Sequence, residues 1–311
     1  MVERVEYDEL GLFHENAEEY GLPYDGPPVV RRVRVEVAPG RHLSALVWKD
    51  DEPALVLLHG GAQNAHTWDT VALALDRPLV AVDLPGHGHS DGPAQAPAGR
   101  LGVEQDAADV ALVVRQLAPA AHAMVGMSLG GLTAIALAAR APELVRKLVL
   151  VDVVPGITGD RARHITAFLD RPSSFASLDE LLELTARFNP TRSLSSLRRG
   201  ILHNAEQQED GTWTWRWARH RRPAENLSPP GGPDHLYAGL WKSLTSITVP
   251  VVLVRGMRED SVLGDDDEEA LLRRVPTAHV VHVADAGHSV QGDTPLELAA
   301  IIRDVALGEK G

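Results

Sequence analysis

The chain has 311 residues, 30 Lys+Arg against 43 Asp+Glu, a formal net charge of −13 and no cysteine. An acidic balance argues against gripping nucleic-acid phosphates, which takes clustered positive charge, and zero cysteines exclude disulfide scaffolds, thiol nucleophiles and Cys-ligated metal centres. The length suits one large α/β domain, or a core domain carrying an inserted lobe.

Residues 1–28 hold eight acids (Glu3, Glu6, Asp8, Glu9, Glu15, Glu18, Glu19 and Asp25) and one base, Arg4. They read as a short amphipathic helix and a Pro/Gly linker, a solvated arm packed loosely on the rest. The start is acidic where a secretion signal would be basic, and no apolar run follows, so a cytoplasmic location is expected. From Val29 the pattern changes. RRVRVEVAPG and RHLSALVWK alternate apolar and polar residues on either side of a turn, which predicts an antiparallel hairpin.

Short apolar runs follow at 54–59, 78–83, 122–127, 147–152, 249–255 and 279–285, separated by helical patterns near 66–75, 104–117, 129–140 and 293–306. Strands covered on both faces lose alternation and become continuously apolar, so these runs predict a mostly parallel sheet flanked by helices. Residues 116–139 lack Asp, Glu, Lys and Arg but are broken by Pro119, His122 and Ser128. They predict a strand, a turn and a helix, and no membrane span. Between about Pro155 and Ser246 the regularity breaks for far longer than a crossover needs, which predicts an inserted cap. The expected division is an acidic arm (1–28), a core (29–154 and 247–311) and a cap (155–246).

Four motifs carry chemistry. His59-Gly60-Gly61 follows an apolar strand, and the Gly61 amide is a candidate oxyanion donor, with His59 orienting the loop. Asp83-Leu84-Pro85-Gly86-His87-Gly88-His89-Ser90-Asp91 contains a His-x-His-x-Asp spacing of a metallo-hydrolase type. Position 92 is Gly where that motif needs another His, so the segment reads as a pocket-shaping turn with no metal. Gly126-Met127-Ser128-Leu129-Gly130-Gly131 is a G-x-S-x-G between an apolar strand and an Ala/Leu-rich helix. A sharp turn there lifts a serine oxygen clear of the sheet and needs small neighbours, and the Leu129 amide at the helix N-terminus faces developing negative charge. Ala286-Gly287-His288-Ser289-Val290 places His288 between the last strand and the last helix, where it serves as a general base.

Together LLHGGAQNAHTW, VAVDLPGHGHSDG, VGMSLGG and DAGHSVQ resemble the α/β-hydrolase-fold serine hydrolases over residues 30–155 and 245–306. LVLVDVVPG, SLRRGILHN and GTWTWRW resemble an actinobacterial-type esterase branch. The resemblance implies an eight-stranded, mostly parallel sheet with an inserted, mainly helical cap. It also implies a Ser-His-Asp triad with Ser128 as nucleophile and His288 as base. Two acids are candidates. In the resembled branch the acid stands in a Val-Asp-x-x-Pro context after the sixth strand, which selects Asp152; many other family members place it after the seventh, which selects Asp260. Haloalkane dehalogenase and epoxide hydrolase branches need Asp at position 128.

Trp213, Trp215 and Trp217 recur with period two and share one side of an extended segment; such a stripe forms core more often than pocket wall. Cap arginines such as Arg198 and Arg199 read as solvated helix charge. The resulting expectation is a cofactor-independent carboxylesterase or thioesterase, acting on a small-molecule acyl ester or thioester through an acyl-enzyme. No nucleic-acid partner and no membrane is expected, and the protein is expected to be a monomer or small homo-oligomer. A C–C bond hydrolase, a perhydrolase or a non-catalytic receptor on the same fold are the alternatives.

Overall fold

The structure, a computed structural model, describes residues 4–94, 102–156, 174–220 and 232–309. Parts of the expected cap, 157–173 and 221–231, lie outside the described residues. The strands are β1 (Val30–Ala38), β2 (Arg41–Trp48), β3 (Leu55–Leu58), β4 (Leu79–Val82), β5 (Ala123–Met127), β6 (Leu148–Val151), β7 (Ser174–Phe175), β8 (Ala205–Gln207), β9 (Trp213–Trp215), β10 (Val251–Gly256) and β11 (His279–Val283). Eight of them make one sheet in the order β1-β2-β4-β3-β5-β6-β10-β11. β2 runs antiparallel to both β1 and β4, and the remaining pairs are parallel.

Side chains of the central strands alternate between two apolar layers, as the pleat requires. On β3, Val56 and Leu58 join a layer completed by α3 (Val103–Leu117) and α4 (Leu129–Arg140). Leu55 and Leu57 join the opposite layer, formed by α1 (Phe13–Tyr20), α2 (Asp69–Leu75) and the C-terminal helix α10 (Pro295–Leu307). Both faces are covered, so β3 reads as an unbroken apolar run. Truncating fully buried Leu57 to Ala would cost about 2–5 kcal/mol.

β6 and β10 are neighbours in the sheet, and the chain between them builds a separate layer. It contains α5 (Leu178–Phe188), α6 (Leu194–Asn204) and α7 (Gly232–Ser246), together with a small antiparallel sheet in the order β7-β9-β8; α8 (Asp265–Arg274) and α9 (Val290–Asp293) follow β10 and β11. Helix α5 starts on a Ser177 cap whose oxygen accepts from Glu180 N at 3.2 Å, while the Glu180 carboxylate accepts from Ala176 N at 2.7 Å. The strands are two or three residues each; the period-two tryptophans mark β9 as extended, but β7 and β8 are too short to show a period, so the segment reads as mainly helical. The three tryptophans pack with Phe175, Leu181, Ile201 and Leu202 as this layer's own core.

The N-terminal arm departs from expectation. Phe13 is 1% exposed, inside the core layer of α2 and α10. Buried Asn16 donates to Thr70 Oγ1 at 2.9 Å, and Glu9 accepts from Arg32 Nε at 2.8 Å. Glu15 and Glu19 pair with Arg199 on α6, which is 3% exposed rather than solvated; Arg198 beside it is exposed. The arm clasps core and cap together. No helix among the described residues is long and apolar enough to cross a membrane.

Candidate active site

Gly61, Ser128, Asp152 and His288 each follow the C-terminal end of a parallel strand (β3, β5, β6 and β11), and His288 meets Asp152 there. Ser128 sits between β5 and α4 with φ 49° and ψ −117°, a left-handed conformation that costs an L residue of order 1–3 kcal/mol. Close packing holds it there. A Cβ on Gly130 would lie 2.3 Å from the Leu58 carbonyl oxygen, and one on Gly126 would lie 2.5 Å from the Gly130 oxygen. These contacts explain the small residues of the motif: the helix must start against the backbone of β3.

Asp152, directly after β6, is 0% exposed and also has a positive φ of 48°. Its carboxylate is surrounded by donors. Oδ1 accepts from Gly256 N at 3.1 Å and Ser261 Oγ at 2.7 Å, while Oδ2 accepts from Val262 N at 3.1 Å. The fourth contact is His288 Nδ1, 2.9 Å from Oδ2. An Nδ1–H donated to this carboxylate leaves Nε2 as the acceptor of that ring. Buried charge needs such compensation, and here it is nearly saturated.

Asp260 stands elsewhere. Its side chain is 54% exposed, pairs with Arg258 at 3.1 Å and lies against the Gly287 backbone. The segment that suggested Asp260 matters for a different reason: Ser261 and Val262, its next two residues, turn inward and clasp Asp152. Sequence reasoning missed this, because a serine and an apolar residue beside an acidic run carry no signature of that role.

The Gly61 loop is held by its neighbours. His59 is fully buried, and burial depresses its pKa, so the neutral ring donates from Nδ1 to Gly60 O (2.7 Å) and accepts Leu84 N–H at Nε2 (2.9 Å). Gly60 N donates to Gln63 Oε1 at 3.1 Å, and Ala62 N donates to His87 Nε2 at 3.1 Å. The Gly61 amide between them has no partner among the described residues, nor has the Leu129 amide at the start of α4. Burial likewise lowers the His87 pKa to about 3, a neutral ring matching its acceptor role. His87 and His89 are spent separately, the first on Pro85 O and Ala62 N, the second beside Glu9, so they do not form the metallo-hydrolase arrangement.

Residues 55–301 match the family model described as the alpha/beta hydrolase family. The chain belongs to that family. It is 42% identical over 306 residues to esterase Rv0045c of Mycobacterium tuberculosis, covering 96% of this chain and 95% of the relative. It is 30% identical over 259 residues to the 3-hydroxybutyrate-oligomer hydrolase of Cupriavidus necator, covering 79% and 85%. The crystal structure of Rv0045c superposes with a TM-score of 0.80 at 40% identity, over 99% of this chain and 100% of that one. An E-2-(acetamidomethylene)succinate hydrolase, at 24% identity and TM-score 0.74 over 90% of this chain and 100% of the other, shares the fold.

Proposed function

We propose that this protein is a serine esterase, hydrolysing small to medium carboxylic esters or thioesters through an acyl-enzyme. The observation that carries this reading is the anchoring of His288 Nδ1 on buried, donor-saturated Asp152, beside an elbow that raises Ser128 in a left-handed conformation. The 42% identity to a mycobacterial esterase supports the same reading.

In this mechanism Ser128 Oγ attacks the acyl carbonyl while His288 Nε2 takes its proton. Asp152 fixes the tautomer and stabilises the imidazolium, without itself becoming protonated. Charge develops on the carbonyl oxygen and is met by the amides of Gly61 and Leu129, each worth roughly 3 kcal/mol in comparable sites. The imidazolium then protonates the leaving alcohol or thiol. Water enters, gives its proton to His288 and attacks the ester carbonyl of the acyl-enzyme; collapse frees the acid and returns the proton to Ser128.

The test is a panel of p-nitrophenyl esters and acyl thioesters of increasing chain length, run on the native protein and on Ser128→Ala. Turnover of at least one acyl class, abolished in Ser128→Ala, is expected. No turnover of any member, or turnover that survives Ser128→Ala, overturns the reading.

A further inference from the structure

We propose that the cap supplies a positioning residue for the oxyanion donor: Asn204, the last residue of α6, holds the Gly61 loop in its working conformation. The N-terminal arm in turn keeps Asn204 seated. This rests on the reading of Gly61 as an oxyanion donor.

The loop has a conformational problem. Ala62 has φ +59°, a left-handed backbone that a residue with a Cβ adopts only when its surroundings impose it. Its N–H is held by His87 from the core. Its carbonyl is held from the cap, by Asn204 Nδ2 at 2.6 Å. A second bond ties the same two elements: Asn64 Nδ2 donates to the His203 carbonyl at 3.1 Å, while Asn64 Oδ1 accepts from His66 N at 2.9 Å. The last two residues of α6 thus grip the loop two and four positions before His66. If the cap shifts, Ala62 loses the partner on its carbonyl side, and the adjoining Gly61 amide loses its aim.

What seats α6 lies one residue earlier. The His203 ring stacks on the His66 ring at 3.8 Å with an interplanar angle of 9°, and its Nδ1 meets the Tyr7 hydroxyl at 2.7 Å. His66 bridges two carboxylates, Asp69 at 2.8 Å from Nδ1 and Glu9 at 3.1 Å from Nε2. Tyr7 and Glu9 belong to the arm, His66 and Asp69 to the core, and His203 to the cap. Ligand atoms of His66, Asp69 and His203 lie within 4.8 Å of one another, as in a metal site. Stacked rings, however, keep their in-plane lone pairs in two separate, nearly parallel planes, and these do not meet at one ion. The cluster is a hydrogen-bonded latch across three parts of the fold, and it makes catalytic competence depend on a seated cap.

The experiment compares the native protein, Asn204→Ala, Tyr7→Phe and the double variant. Each is assayed for kcat and KM on the best ester and for inhibition by a trifluoromethyl ketone, whose serine adduct carries an oxyanion. Asn204→Ala is expected to lower kcat about tenfold, short of the roughly 10²–10³ for deleting an oxyanion donor outright. KM should stay within about twofold, and the ketone should weaken by the same factor as kcat/KM. Tyr7→Phe, a milder change that keeps the ring, should lower kcat less, and should add nothing once Asn204 is Ala. Unchanged kcat in folded Asn204→Ala, a loss confined to KM, an unchanged ketone affinity, or additive effects would each overturn the proposal. A native protein that neither turns over esters nor binds the ketone removes the functional reading and this inference with it. A native protein that does both, with Asn204→Ala matching it, removes the inference alone.

Discussion

Replacing Asp152 by Asn changes one oxygen into an NH₂ group inside a set of four donors. Placed at Oδ1, the amide nitrogen faces Gly256 N–H and the Ser261 hydroxyl; placed at Oδ2, it faces Val262 N–H and His288. Either orientation sets donor against donor and leaves a buried backbone N–H without its acceptor, a stability cost of about 1–3 kcal/mol. In the second orientation the amide donates to His288 Nδ1, so the ring must carry its proton on Nε2 and can no longer accept the Ser128 proton. A wrong tautomer in the serine-protease triad costs about 10⁴ in kcat, which is about 5.5 kcal/mol of barrier. Asp260→Asn touches an exposed ion pair worth roughly 0–1 kcal/mol and nothing at His288. The assay is steady-state hydrolysis of a short-chain p-nitrophenyl ester by both variants, with calorimetric melting to show that each is folded. Asp152→Asn should fall by three to four decades, on the order of the triad precedent, with Asp260→Asn close to native. A collapse in Asp260→Asn alone, with Asp152→Asn within about tenfold of native, would refute the assignment.

Stability should peak near neutral pH. Burial opposes a charge on His66, but Asp69 and Glu9 outweigh it and raise its pKa from 6.5 to about 9. Its contribution is therefore fully present below pH 6.5 and is lost as pH rises through 9, at most about 3 kcal/mol. Burial and the neighbouring His59 hold the His87 pKa at about 3, so the unfolded chain takes up a proton that the folded one refuses, and stability falls as pH drops from 6.5 toward 3. Glu9 adds to the acid loss: despite burial, bonds from His66, His89 and Arg32 hold its carboxyl well below the usual range. Melting temperature against pH checks all three, and His66→Gln should flatten the alkaline limb; a limb that persists in that variant refutes the assignment. Gly256→Ala should cripple activity, since its Cβ would lie 2.2 Å from the Gly287 carbonyl oxygen and push the His288 loop; the atoms nearest a Cβ on Gly287 belong to the movable carboxylate of Asp260, so Gly287→Ala should be tolerated. Equal activities in the two folded variants would contradict this. Trp215→Ala should cost about 3–5 kcal/mol as a loss of cap core, read as a lower melting temperature; an unshifted melt would show that the stripe is not core.

The parts of this fold legible in the sequence are those whose partners are local or periodic. β5, the elbow and α4 are contiguous, so their apolar run, glycines and helical pattern state the geometry directly, and the buried strands announce themselves by lacking alternation. Asp152 was legible as a carboxylate at a strand end but not as the centre of a clasp, because Ser261 lies 109 positions away. The arm misled for the same reason. Its acids look solvated in a window of 28 residues, yet Glu9 finds Arg32 23 positions on, and Glu19 finds Arg199 180 positions on. Asn204 ends the SLRRGILHN segment, but that string states no chemistry for it, and its role exists only because α6 docks on the loop at Ala62.

The most direct measurement is intact-mass analysis of the native protein after exposure to a fluorophosphonate, followed by peptide mapping. One adduct per chain on Ser128, slowed in Asp152→Asn and absent in Ser128→Ala, is the expected result. An unmodified native protein, or an adduct on any other residue that survives Ser128→Ala, would contradict nucleophilic catalysis by this serine.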